Sequence, residues 1–350
     1  MKRRKGTPRH DQRRRERCTL IGLTAVLVLV APMCGSEGPE GTADSEAPVR
    51  VDGPGELVAT VPLGAAAFAL ANAEAAVWVA GDPRTVSEID PGDDVIATTI
   101  EIGESPRGIA ATADSLWVTN FGEMEAGVTT GEAIDTVSRI DLATATVSAT
   151  IDVGSQPTGV ATGAGSVWVV NSGDDTVSRI DPATNEVTAT VPVGDGAWDI
   201  AIADGAVWVT NESDDSVSRI DADRAEVTAT IDVGALPGAV TATADAVWVT
   251  IDRSSSFDEE DALVRIDPAA NEVVDTLSIA DPHDVVATVD GLWVSNFIDG
   301  TVTRIDPRAG EVRDTVDVGP NPTALATDGH ALWALIDFGE AVAHVDPGTS

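Results

Sequence analysis

Ser166-Val167-Trp168-Val169-Val170-Asn171 recurs, in varied form, seven times along this chain. Trp-Val-Thr-Asn stands at 117–120 and 208–211, Trp-Val-Val-Asn at 168–171 and Trp-Val-Ser-Asn at 293–296. Looser copies are Trp-Val-Ala-Gly at 78–81, Trp-Val-Thr-Ile at 248–251 and Trp-Ala-Leu-Ile at 333–336. The seven tryptophans (Trp78, Trp117, Trp168, Trp208, Trp248, Trp293, Trp333) are 39, 51, 40, 40, 45 and 40 residues apart. A period near 40 is one supersecondary unit copied along the chain, and such units bury their faces by stacking on one another.

Residues 158–194 show what the unit is. Thr158-Gly-Val-Ala-Thr162 reads as a short strand, and Gly163-Ala-Gly165 as a tight hairpin turn whose glycines supply positive φ. Ser166–Asn171 follows as a strand apolar on both faces, which suits a sheet packed above and below. Ser172-Gly-Asp-Asp175 is a polar loop and Thr176–Ile180 a third strand. Asp181-Pro-Ala-Thr-Asn185 is a turn, with proline presetting φ and the aspartate bonding back to the backbone. Glu186–Val193 alternates Val/Ala with Thr/Pro, the pattern of an outer strand with one wet face, and its proline suits an edge. Four antiparallel strands repeated radially predict an all-β, seven-bladed propeller.

The turn aspartate recurs in all seven units: Asp90, Asp141, Asp181, Asp221, Asp267, Asp306 and Asp346. An arginine two residues earlier recurs in five: Arg139, Arg179, Arg219, Arg265 and Arg304. Both have structural duties, since a catalytic residue has no reason to appear once per blade.

Closure follows from counting strands at the two ends. Glu56-Leu-Val-Ala-Thr-Val-Pro-Leu-Gly64 matches an outer strand, while the last unit stops at a third strand and its turn, 341–347. Residues 56–63 are therefore expected to pair with 341–346 and complete the last blade.

The chain has 350 residues, 43% of them hydrophobic, enough for one large domain of repeats at 56–350. From Cys34 onward 12 basic residues, all arginine, face 56 acids, a formal balance of −44. Such a surface repels phosphate backbones, so no nucleic-acid partner is expected, and solubility or a salty medium explains the excess. The only cysteines are Cys18 and Cys34, so the repeats hold no disulfide, cysteine metal site or thiol nucleophile.

Residues 1–17 are strongly basic and Cys18–Val30 nearly all apolar. About 13 apolar residues fit an export signal, whereas a spanning helix needs roughly 20. The segment 1–33 is read as a signal peptide ending Ala31-Pro-Met-Cys34, which resembles a bacterial lipoprotein signal in which the cysteine is lipidated. Met33 departs from the small residue usual there, so a cleaved secreted form and an uncleaved anchor stay open. Residues 34–55, rich in Gly, Pro, Glu, Ser and Asp, read as a flexible acidic tether. The expected location is extracytoplasmic, at a cell membrane or secreted.

The Trp-Val-Thr-Asn copies, with Ser-Arg-Ile-Asp-Pro and Glu-Val-x-Ala-Thr-Ile-x-Val-Gly around them, resemble the YVTN/YncE family of seven-bladed propellers over about residues 56–350. Tyr often stands in that family where this chain has Trp, and this chain has no Tyr. The resemblance implies the fold and an exported or surface setting. The repeats are also similar to those of streptogramin lyases, enzymes on the same fold.

In so regular an array, a site belongs where one blade departs from the rest. Ten residues before each blade Trp stand Phe68, Arg107, Thr158, Trp198, Gly238, His283 and Thr323; one residue later come Ala69, Gly108, Gly159, Asp199, Ala239, Asp284 and Ala324. Only blades four and six carry an aspartate, beside Trp198 and His283. These positions should line the mouth of the central channel, on the face that also bears the long loops 120–136 and 251–262. Phe68, Arg107, Trp198, Asp199, His283 and Asp284 are the candidate ligand-binding residues, for an unknown small molecule or a protein. The enzymatic alternative is a lyase or lactonase with His283 as general base and Asp284 or Asp199 as orienting or metal-binding carboxylate. The third reading is a structural envelope protein without a small-molecule site. No cofactor is expected, nor a metal: Asp174-Asp175 and Asp214-Asp215 spell no calcium loop. A monomer is expected.

Overall fold

The structure, a computed structural model, describes residues 55–348 apart from 74, 83, 104, 122–134, 252–260, 289–290 and 329. The expected signal peptide, Cys34 and all of the tether but Gly55 lie outside the described residues, as do most of the two long loops.

Seven four-stranded antiparallel sheets account for all the strands among the described residues. Blades one to six run 67–101, 106–152, 157–192, 197–232, 237–278 and 282–317, each with its strands hydrogen-bonded in chain order. The seventh blade joins Leu325–Thr327, Leu332–Ile336 and Ala341–Asp346 to the first strand of the chain, Glu56–Pro62. Glu56 pairs with Asp346 and Pro62 with Ala341, and the Leu63 amide adds a bond to the Glu340 carbonyl at 2.8 Å. The first strands of successive blades contact one another, and that of blade seven meets that of blade one. The chain's two ends thus close a ring, in which the first strand covers the edge of Ala341–Asp346 and each blade keeps only its short outer edge.

The tryptophan period has a direct meaning in the packing. Seven apolar clusters form, one at each seam between neighbouring blades, and each holds one blade Trp packed on the next blade's second strand. Trp168, for instance, packs with Ile200, Val207 and Val209 of blade four. Second strands such as Ser166–Asn171 are buried along their whole length, as a strand with sheets on both sides must be. Outer strands such as Glu186–Pro192 bury little beyond Val191.

The repeated polar residues serve the same architecture. Each of the five arginines lies over the Trp ring of its own blade, its guanidinium carbon 5.0–6.0 Å from the ring centroid. Arg139 also donates to the Pro182 carbonyl at 2.6 Å and to Asn185 Oδ1 at 3.0 Å, in the turn of the next blade. The Asn closing the Trp-Val-x-Asn motif ties second strand to third: Asn171 Nδ2 donates to Thr176 at 3.0 Å and Ser178 at 2.9 Å. The turn aspartates accept backbone amides two or three residues on, as Asp181 does from Ala183 at 2.8 Å. In the hairpin turn of blade three, Ala164 and Gly165 both take positive φ (48° and 72°), the two left-handed positions of a tight hairpin.

The closing seam differs. Blade seven carries His344 where five blades carry arginine, and its ring stacks on Trp333 with centroids 3.9 Å apart. His344 Nδ1 lies 2.8 Å from Asp94 Oδ1, in the turn of blade one, with the Asp94 side chain fully buried. Gly339 (φ 84°) lets the last loop lie against the Ala67 backbone, where any Cβ would collide.

Candidate functional site

Each inner strand begins at one end of the channel, opposite the end of its second strand, as Pro157 opposite Asn171 shows. Two consecutive residues follow that first pair before the ladder resumes, a bulge found in blades two to six. The residues singled out in the sequence as Arg107, Trp198, Asp199, His283 and Asp284 occupy that bulge. Local irregularity takes their amides out of the backbone ladder, and those of Asp199 and Asp284 donate instead to Thr210 Oγ1 at 3.0 Å and Ser295 Oγ at 2.9 Å.

Neighbouring inner strands are drawn close there. A Cβ on Gly108 would overlap the Thr158 carbonyl, and one on Gly159 would sit 3.1 Å from the Trp198 carbonyl. The small residues at these positions therefore leave room for the next blade. Thr119 Oγ1 donates to the Thr158 carbonyl at 2.7 Å and Thr158 Oγ1 to that of Trp198 at 2.8 Å, tying blades two, three and four.

The two aspartates continue this circumferential bonding. Asp199 Oδ2 accepts the Val240 amide of blade five at 2.8 Å. Asp284 accepts its neighbour Val285's amide at 2.7 Å through Oδ1 and the Leu325 amide of blade seven at 2.7 Å through Oδ2. Removal from water lifts Asp199 from the usual carboxylate range to about 6, against the pull of the amides it accepts. The same desolvation, with the charge of Asp199 added, lifts Asp284 to about 7. Both side chains keep partial exposure to the channel, so water there moderates these shifts.

His283 Nδ1 lies 3.0 Å from the Thr323 carbonyl of blade seven; a carbonyl only accepts, so this nitrogen carries the proton. The ring stacks on Phe297 (5.6 Å, 25°), and Phe338 stands edge-on to Phe297 at 6.1 Å. Across the mouth the Arg107 guanidinium lies 4.6 Å from the Phe68 ring and 5.2 Å from that of Phe121. Trp198 joins neither group by a ring contact and is 50% exposed. The structure thus unites Phe68 with Arg107. His283 and the two aspartates bond to backbone of neighbouring strands.

Sequence reasoning named Phe68 but missed Phe121, Phe297 and Phe338. A signal was available: apart from the seven blade tryptophans, every aromatic residue falls at an inner-strand start or in a loop on this face. Phe257 does so by its place in the sequence and lies outside the described residues. Phe338 and Asp337 both hold left-handed backbone (φ 56° and 52°), a conformation unfavourable for a bulky residue, and Phe338 is 65% exposed. Among the described residues no group of three or more His, Cys, Asp or Glu is placed to hold a metal.

No protein-family model and no curated protein matches the sequence. Among solved structures the chain is similar to one titled Kuenenia stuttgartiensis hydrazine synthase, with a TM-score of 0.68 and 17% identity, covering 89% of this chain and 99% of that one. The fold is a seven-bladed β-propeller. At that identity the likeness carries fold alone, so function rests on the site.

Proposed function

We propose that this is an exported, lipid-anchored propeller of the YVTN/YncE kind that binds a ligand or partner protein through its channel mouth. The observation that carries the reading is the concentration of unrepeated aromatic and cationic side chains, Phe68, Arg107, Phe121, Trp198, His283, Phe297 and Phe338, on one face of an otherwise repetitive scaffold. Rigid scaffolds place binding groups in this way, and Trp, Arg and Phe on one exposed face are the composition of a recognition surface. The basic and apolar segment before Cys34 supports export and anchoring.

A thermal-shift screen of metabolites and peptides against the native protein and the Trp198→Ala/His283→Ala double variant tests the binding reading. Hits stabilising only the native protein are expected; stabilisation equal in both would remove the mouth from consideration. Intact-mass analysis of membrane-extracted protein tests the anchor, and a mature terminus other than a lipidated Cys34 overturns it.

The enzymatic reading draws on one observation, the His283 Nδ1 3.0 Å from the Thr323 carbonyl, a contact that in the neutral tautomer places the basic lone pair on Nε2. The backbone bonds of Asp199 and Asp284 favour a role in holding the ring over one in holding a metal or a histidine.

A further inference from the structure

The channel-mouth reading can be carried to a ligand class, because the polar groups at the mouth divide sharply by what they already hold. His283, Asp199 and Asp284 are bonded to backbone of the next blade. Arg107 differs. Its guanidinium is fixed by the faces of Phe68 and Phe121, yet it makes no ion pair or hydrogen bond among the described residues. Asp82 is close enough to act on its charge but not to pair with it. Elsewhere in this acidic chain arginines take up carboxylates when they are near: Arg224 pairs with Asp221 at 3.1 Å, and Arg313 pairs with Asp306.

A guanidinium held over aromatic rings spends none of its N–H donors on them. Those donors form the planar fork that fits a carboxylate bidentately. The surrounding charge restricts what can bind there. With 56 acids against 12 arginines from Cys34 onward, each additional negative charge on a ligand is repelled, so a monoanion is favoured over a phosphate or a polyanion. The other aromatic side chains of this face are the half-exposed Trp198, and His283 stacked on Phe297 with Phe338 edge-on to it.

We propose that Arg107 anchors the carboxylate of a small, singly charged ligand whose planar, apolar body packs on the aromatic rim of the channel mouth. This rests on the channel face being the binding face, and adds the charge and shape of what binds there.

Isothermal titration of the full folded protein with 1-naphthoate and its neutral isostere 1-naphthamide separates the two parts. The native protein should bind naphthoate at least tenfold more tightly than naphthamide. Arg107→Gln should bring that ratio close to one, with Arg107→Lys between, while their melting temperatures fall by only a few degrees, because Arg107 gives the fold ring contacts and no ion pair or hydrogen bond among the described residues. Trp198→Ala should weaken both probes alike. Inorganic phosphate should compete poorly. Equal affinity for the two probes in the native protein overturns the carboxylate anchor while leaving the channel face as the binding face. A naphthoate preference surviving in Arg107→Gln, or preferential binding of phosphate, overturns it as well. Binding of neither probe also counts against the proposal, and the channel-face reading then depends on the broader screen alone.

Discussion

Removing the first strand is the most demanding test of ring closure. A chain beginning at Asp52 keeps Glu56–Pro62, and one beginning at Ala65 lacks it. In the structure Ala59 and Val61 of that strand are 0% and 2% exposed, and Val61 packs with Trp333, Leu335 and Val342 at the closing seam. Leu57 packs on the neighbouring cluster around Trp293. Burying Val61 contributes about 2 kcal/mol, and Ala59 with the partly buried Leu57 about as much again. Ladder hydrogen bonds at about 1 kcal/mol net per residue roughly offset the backbone entropy of ordering the strand. The loss is therefore about 4 kcal/mol, which lowers the melting temperature on the order of 10 °C for a domain of this size. Ala341–Asp346 also becomes an open edge, so the shorter chain should self-associate. Circular dichroism melts and light scattering after size exclusion, run on both chains, measure the two effects. If the chain starting at Ala65 melts with the longer one and stays monomeric, the closing strand is not integral and the blade count is wrong.

The raised carboxyls at the mouth give a pH dependence with a definite sign. Folding favours their protonated forms, so the stability they contribute is full below about pH 4 and is lost as pH rises through about 6 for Asp199 and about 7 for Asp284. Urea unfolding of native protein and Asp199→Asn from pH 4 to 8 should show the native protein losing up to about 3 kcal/mol relative to the variant; a constant difference would refute the burial of charge. At the closing seam, Asp94→Leu leaves the His344 Nδ1 facing apolar surroundings and should cost about 2 kcal/mol. The double variant Asp94→Asn/His344→Arg copies the Arg139–Asn185 seam and should melt close to the native protein; an unaffected single variant would remove the latch. The excess of acids predicts a melting temperature that rises from low to molar NaCl as self-repulsion is screened, and a flat or falling profile would contradict it.

The repeat, the number of blades, the four-stranded unit and the sharing of the last blade between the chain's ends were all legible in the sequence. These depend on periodicity, alternation and turn chemistry, which are properties of residues a few positions apart. The blade arginines and turn aspartates could be assigned structural duties for the same reason, since repetition itself carried the information. The candidate site was legible only as a set of departures from the repeat: Phe68, Arg107, Trp198, Asp199, His283 and Asp284. What those side chains do was decided by partners about one blade away. Asp199 meets the Val240 amide 41 residues on, and Asp284 the Leu325 amide 41 residues on. His344 meets Asp94 across 250 residues. Those partners are backbone groups or turns that no pattern in the sequence marks, and they reach the side chains only once neighbouring blades have packed. So the tertiary structure alone supplied the amides of neighbouring blades that Asp199 and Asp284 accept, and brought the Arg107 guanidinium over the rings of Phe68 and Phe121.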